Sequence, residues 1–229
     1  MQVMQEKMPI DGILLINKSQ GLSSNAVLQR AKRLLGAKKA GHTGSLDPLA
    51  TGMLPICFGE ATKLSQYLLD ADKAYEVTAL LGAVSTTGDA EGEITSSPNQ
   101  AEVIHVSMGD INAAIAQLTG PIQQVPPMYS ALKHQGKPLY TYARKGEMIE
   151  RPARDVIIYD LKCIEHDAKI VKLTVKCSKG TYIRSLVESM GALLGVGAYV
   201  TQLHRTYTAG FEQEPMWTLD ALEEESLEA

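Results

Sequence analysis

"ARDVIIYDLKCIEHDAKIVKLTVKCSKG", residues 153–180, divides at Asp167-Ala168 into two runs of partial apolar alternation. Val171, Leu173 and Val175 alternate with Lys172, Thr174 and Lys176, the period of a strand with one buried face. Two such runs joined by a short polar step predict a β-hairpin. A hairpin pairs its strands antiparallel, so a strictly parallel wound sheet is disfavoured. Working outward, "GILLINK" (12–18), "MLPICFG" (53–59), "KAYEVTALLG" (73–82) and "AYVTQLHRTYTAGF" (198–211) read as further strands. Helical spacing marks "SSNAVLQRAKRLLG" (23–36), with a serine cap and Gly36 as its stop, then "EATKLSQYLLDA" (60–71), "GDINAAIAQLTG" (109–120) and "TYIRSLVESMGALLG" (181–195). "STTGDAEGEITSSPNQ" (85–100) reads as a long polar turn, and "PIQQVPPMYSALK" (121–133), with three prolines, as irregular chain. Strands and helices in irregular succession, with a hairpin among them, predict an α+β fold on a mixed sheet.

The chain has 229 residues, 45% hydrophobic and 21% charged, enough to bury a sizeable core in one domain or two small ones. No run approaches the length of a membrane span, and "MQVMQEKMPIDG" lacks the apolar region of a signal peptide. Cys57, Cys163 and Cys177 form no CxxC pair, so neither a disulfide framework nor a zinc knuckle is suggested. A cytoplasmic protein with buried thiols fits best. The formal net charge of −4 argues on its face against a nucleic-acid partner. Its distribution argues otherwise, because residues 212–229 carry seven acidic residues and no basic one, leaving residues 1–211 at +3. Arg30, Lys32, Arg33, Lys38 and Lys39 form one basic cluster; Lys133, Lys137, Arg144, Lys145, Arg151 and Arg154 form a second. Both clusters suit a phosphate backbone, and both equally suit solvated helix faces.

Two charged residues stand out. "GHTGSLDPLATG" (41–52) sets Asp47 between Leu46 and Pro48, with Leu49 following. Proline holds the residue before it extended and the glycines bend the chain on either side, so the carboxylate sits on a shaped loop. Arg184 falls in the first turn of its helix, where the macrodipole disfavours a cation by roughly 0.3–1 kcal/mol. A compensating anion is expected: Glu188 one turn on, an RNA phosphate, or a carboxylate from elsewhere in the fold.

"GHTGSLDPLATGMLP", "KAYEVTALLG", "PPMYSALKHQGKPLYTYAR" and "CSKGTYIRSL" together closely resemble the catalytic domain of the bacterial tRNA pseudouridine-55 synthases, the TruB family, over residues 11–222. The resemblance implies the pseudouridine synthase fold, α+β with a largely antiparallel central sheet flanked by helices and loops. It implies isomerisation of one T-loop uridine of tRNA by a cytoplasmic monomer with no cofactor and no metal. Asp47 is then the catalytic carboxylate, acting either as a nucleophile or as the base that takes the C2′ proton. Arg184 pairs with it and keeps it ionised. A uridine inside a folded loop must be flipped out. Tyr75 matches the tyrosine that stacks on the flipped base, and His42 the residue that fills the vacated space. Tyr182 aligns with a pocket-lining tyrosine, and Lys18 and Leu203 with residues that support the pocket.

The same resemblance divides the chain into a catalytic domain, 1–211, with a basic RNA-facing thumb-like segment at about 123–154, and an acidic segment, 212–229. On this reading the chain is expected to stop short of the PUA-type domain usual in the family. Ser45 stands where alanine is frequent, and His204 where a second arginine is frequent. The five histidines are too dispersed for a metal site, and "GDAEGE" lacks the ligand spacing of a calcium loop. The alternatives to a synthase are a tRNA-binding or tRNA-folding module without turnover, and an unrelated carboxylate enzyme such as a glycosidase, which ordinarily needs a second positioned acid.

Overall fold

The computed structural model describes residues 10–212 and 214–228, with side chains as far as residue 225; the amino-terminal stretch 1–9 lies outside them. The chain forms two compact units, one from residues up to 71 together with those from 205 onward, the other from 72–204.

The first unit opens with β1 (Gly12–Lys18), α1 (Ser24–Leu34), β2 (Ala40–His42), β3 (Thr51–Phe58) and the short α2 (Ser65–Leu69). β3 is antiparallel to both β1 and β2, with Lys18 opposite Gly52 and His42 opposite Ile56. α1 begins where Ser23 accepts the Ala26 N–H at 3.1 Å, and buries Val27, Leu28 and Ala31. The helix expected over 60–71 is shorter than its spacing suggested, a 3₁₀ turn over Gly59–Leu64 leading into α2. Neither piece buries a residue, so no packing energy extends it.

The second unit continues with β4 (Lys73–Leu81), β5 (Ala83–Ser85), β6 (Ile94–Ser96), α3 (Met108–Leu118) and β7 (Gly120–Gln124). Then come β8 (Lys133–His134), β9 (Lys137–Pro138), α4 (Leu139–Ala143), β10 (Arg154–Asp167), β11 (Ile170–Cys177), α5 (Ile183–Leu193) and β12 (Ala198–Thr208). Its strands lie in the order β12-β4-β11-β10-β7. The predicted hairpin is β10–β11, with Asp167 opposite Ile170 and Ala168 in the turn at φ 48°. Val77, Ala79, Val171, Leu173, Val175 and Ile158 bury one face of these strands, and α3, against β10 and α5, adds Ile111, Ala114 and Leu118. α5 buries Ile183, Leu186, Val187 and Met190 along one face, whereas Leu193 near its end is exposed.

The mixed, mainly antiparallel α+β architecture is the one expected; besides the shortened helix at 60–71, two further segments differ. Residues 120–124 are a strand, not irregular chain: β7 ends the strand order, so Pro121 has one edge on which no N–H is required. The polar turn at 85–100 contains a small hairpin, Ala83 opposite Ser96, that closes a loop around Asp89.

Within β12, at Arg205, the chain returns to the first unit, and after the strand it leads to α6 (Leu219–Glu228). Trp217 bridges the outer edge of β1, donating to the Leu15 carbonyl and accepting from the Asn17 N–H, both at 2.8 Å. α6 lies against α1, with Leu219 and Leu222 buried and Arg30 paired to Asp220 and Glu223. The acidic segment is thus built into the unit and covers a strand edge that would otherwise be open to pairing.

Candidate active site

The loop carrying Asp47 is held by backbone bonds from several elements of the first unit. Ser24, buried at the start of α1, uses its hydroxyl twice on Leu46, donating to the carbonyl at 2.9 Å and accepting the N–H at 2.7 Å. Lys18, 1% exposed at the end of β1, donates its ammonium to the carbonyls of Ala50 at 2.5 Å and Pro48 at 3.3 Å. Arg205, equally buried, donates to the Met53 carbonyl at 2.6 Å and the Gly44 carbonyl at 3.3 Å. Two cations far apart in sequence thereby fasten the carbonyls on either side of the half-buried Asp47. Gly52, at φ +98°, permits this approach, since a Cβ there would collide with the Arg205 carbonyl oxygen. Buried charges are tolerated where hydrogen bonds answer them, and here they hold the carboxylate loop in one shape.

His42, on β2 just before this loop, is half-buried, and its Nδ1 is enclosed without a hydrogen-bond partner. Burial first, and the Arg205 charge second, lower its proton affinity below that of an ordinary histidine. The ring next to the carboxylate loop is therefore held toward its neutral form.

In the second unit Arg184 is 4% exposed on the first turn of α5. Its terminal nitrogens donate to the Thr87 and Tyr129 carbonyls, each at 2.7 Å, and its Nε lies 3.7 Å from Asp89, itself buried. Within this unit the carboxylate beside the arginine is therefore Asp89, from the loop read as a polar turn. Asp89 is braced in turn, accepting from the Thr87 hydroxyl at 2.6 Å and the Glu91 N–H at 3.0 Å. Glu188 stands close without being an ordinary surface partner. Burial raises its proton affinity above the usual carboxylate range, Arg184 opposes that, and Asp89 adds to it. Gly88, at φ +77°, packs so closely on the helix that a Cβ would lie 3.1 Å from the Arg184 Cβ and 3.2 Å from the Glu188 carboxylate carbon.

Tyr75 is buried on β4 opposite Val175, and Leu203 is buried on β12. Tyr182 is the N-cap residue of α5, two positions before Arg184. The segment expected to face RNA leaves β7 after Gln124 and returns at Arg154, and these two residues pair directly. Between them β8 and β9 form a tight hairpin through Gln135 and Gly136. The Tyr142 hydroxyl donates to the His134 carbonyl at 3.1 Å, and Arg144 lies 5.3 Å from the centre of the Tyr140 ring. Lys133, Lys137, Arg144 and Lys145 are exposed around this folded piece.

Asp89, Gln124, Ser24 and the placement of Arg205 were not among the sequence candidates. Asp89 did carry a local signal, since Asp after Thr-Gly in a glycine-rich turn favours bonds to nearby backbone. Gln124 carried none. Among the described residues no cluster of His, Cys, Asp or Glu is arranged to hold a metal ion, and no helix is long and apolar enough to cross a membrane.

The fold aligns with the solved structure of a Cbf5–Nop10–Gar1 complex at a TM-score of 0.70 and 31% identity, over 91% of this chain and 52% of that one. The architecture is that of the pseudouridine synthases. Residues 32–183 match the family model described as TruB family pseudouridylate synthase, N-terminal domain, and residues 184–229 match that of the tRNA pseudouridylate synthase B C-terminal domain. The chain is 56% identical to tRNA pseudouridine synthase B of Legionella pneumophila (strain Corby) over 98% of its own length and 73% of the relative's, and 58% identical to the Aeromonas salmonicida (strain A449) protein of that name over 93% and 66%. The chain belongs to the TruB family.

Proposed function

We propose that this protein isomerises the uridine at position 55, in the T-loop of tRNA, to pseudouridine, as a cytoplasmic monomer that uses no cofactor. The observation that carries the reading is 56–58% identity to tRNA pseudouridine synthases B across nearly the whole chain. The constrained loop around Asp47 supports it. In the reaction the N1–C1′ bond breaks, the uracil turns while bound, C5 bonds to C1′, and the C5 proton leaves. One carboxylate suffices, either adding to the substrate or removing the C2′ proton. Asp47 is the proposed carboxylate, and Arg184 its proposed partner, favouring the ionised form. Tyr75 stacks on the flipped base; such stacking is worth about 1–3 kcal/mol. His42 fills the space the base leaves, its neutral ring suited to an apolar stack. Tyr182 lines the pocket, and Lys18 and Leu203 support it, Lys18 by fastening the Asp47 loop. The exposed lysines and arginines of segment 123–154 meet the RNA backbone.

Release of tritium from C5-labelled tRNA by purified protein tests the activity. Asp47→Asn and Asp47→Ala are expected to abolish release while retaining most of the RNA affinity, since phosphate contacts dominate binding. Turnover by Asp47→Ala above a trace of the wild-type rate would sink the assignment. Release absent from the unaltered protein, with RNA still bound, would leave a binding module.

A further inference from the structure

Gln124 stands at the last position of β7, 5% exposed, with its backbone fixed opposite Arg154. Its side-chain amide closes on one residue 58 positions away: Oε1 accepts the Tyr182 N–H at 3.0 Å, and Nε2 donates to the Tyr182 carbonyl at 3.3 Å. Tyr182 is the N-cap of α5 and has no side-chain oxygen at the place where serine or aspartate would cap. In a capping box the N-cap N–H is satisfied by the third residue of the helix, but here that position is Ser185, shorter than the usual Glu or Gln. Gln124 performs the same service from another strand. Its grip sets the direction in which the chain enters α5, and so the positions of Tyr182 at the cap and Arg184 in the first turn. The next residues in sequence make a second link, since the Tyr129 carbonyl accepts from Arg184 at 2.7 Å. The foot of the thumb-like segment is thereby joined twice to the start of α5.

We infer that Gln124 is a positioning residue for the reaction, holding Tyr182 and Arg184 in their working geometry at the point where the RNA-facing segment leaves the sheet. This rests on the proposed synthase activity and on the site roles given to Tyr182 and Arg184. Gln124 is not assigned any contact with the substrate; its effect passes through the α5 cap. Loss of the grip therefore lowers the chemical rate and spares affinity, which the segment's exposed cations supply.

The test is single-turnover kinetics on T-stem-loop RNA, with RNA binding and thermal unfolding measured on the same preparations. Gln124→Ala is expected to slow the chemical step about 10- to 100-fold, the scale of a small misplacement of catalytic groups, with the dissociation constant unchanged within about two-fold. Gln124→Glu preserves shape and the acceptor for the Tyr182 N–H but sets a carboxylate oxygen against the Tyr182 carbonyl; it is expected to fold and to lose rate in the same direction. A double-mutant cycle with Tyr182→Ala separates positioning from general structural support: losses through a shared path do not add, whereas independent losses do. A wild-type rate in folded Gln124→Ala, full additivity in the cycle, or a loss appearing wholly in RNA affinity would each overturn the inference. If Gln124→Ala does not fold, a wild-type rate in Gln124→Glu would overturn it equally. Failure of the underlying reading has its own signature, turnover by Asp47→Ala, which leaves the Gln124 cycle readable by itself.

Discussion

At the scale of single residues, the site candidates are set by what holds their backbones more than by their own contacts. Arg184 illustrates this. Two carbonyls and the Asp89 carboxylate surround its guanidinium within its own unit, and each lies in a different direction from the planar fork. Lysine carries its donors on a single nitrogen and cannot reproduce the separated Nε and terminal nitrogens with which Arg184 meets the Asp89 carboxylate and the two carbonyls. Arg184→Lys is therefore expected to lower single-turnover rate about 100-fold, the cost of a displaced catalytic group, with RNA affinity close to wild type. Near-normal turnover in the lysine variant would show that charge alone is required. A loss confined to affinity would assign Arg184 to an RNA phosphate instead.

At the scale of elements, the acidic carboxy-terminal segment changes meaning once its packing is seen. Read from charge alone, it is a tail whose removal after Glu214 should leave RNA binding unchanged or stronger, unless Trp217 packs against the core. Trp217 does bind the edge of β1, and α6 buries Leu219 and Leu222. Burying a leucine contributes roughly 1.5–3 kcal/mol, so truncation after Glu214 is expected to lower the unfolding temperature by several degrees or more. Thermal unfolding followed by circular dichroism checks this. An unchanged midpoint would mean that α6 adds nothing to the first unit. β10–β11 offers the contrasting case, an element whose pairing was readable because its alternation and its turn agree.

At the scale of the whole molecule, a net charge of −4 conceals two basic clusters in different situations. Arg30 of the first cluster is paired to Asp220 and Glu223 of α6, so part of its charge is answered internally. Lys133 and Lys137 of the second are exposed on a hairpin. RNA affinity is expected to fall log-linearly with salt despite the acidic composition. Alanine at Lys133 or Lys137 is expected to reduce that slope by about one each, whereas Arg30→Ala leaves it unchanged. Fluorescence anisotropy across a salt series measures all three. A flat dependence, or a slope that responds only to Arg30, would reverse the assignment of the RNA-facing surface.

Local pattern was enough for β1, β3, β4, β10–β12, α1, α3 and α5, the hairpin at 167–170, the serine cap of α1 and the family, because each depends on neighbours in sequence: alternation, capping and the motifs around Asp47, Tyr75 and Arg184. Tertiary structure decided the rest. β7 became a strand through its pairing with β10, overriding two local breakers, Gly120 and Pro121. Asp89 became the buried carboxylate beside Arg184 through a turn that packs on α5, and Lys18, Ser24 and Arg205 came to fasten the Asp47 loop from 22 to 161 residues away along the chain. A buried polar group must find its partner wherever the fold brings one, and that partner's position in the sequence is not constrained by any local period.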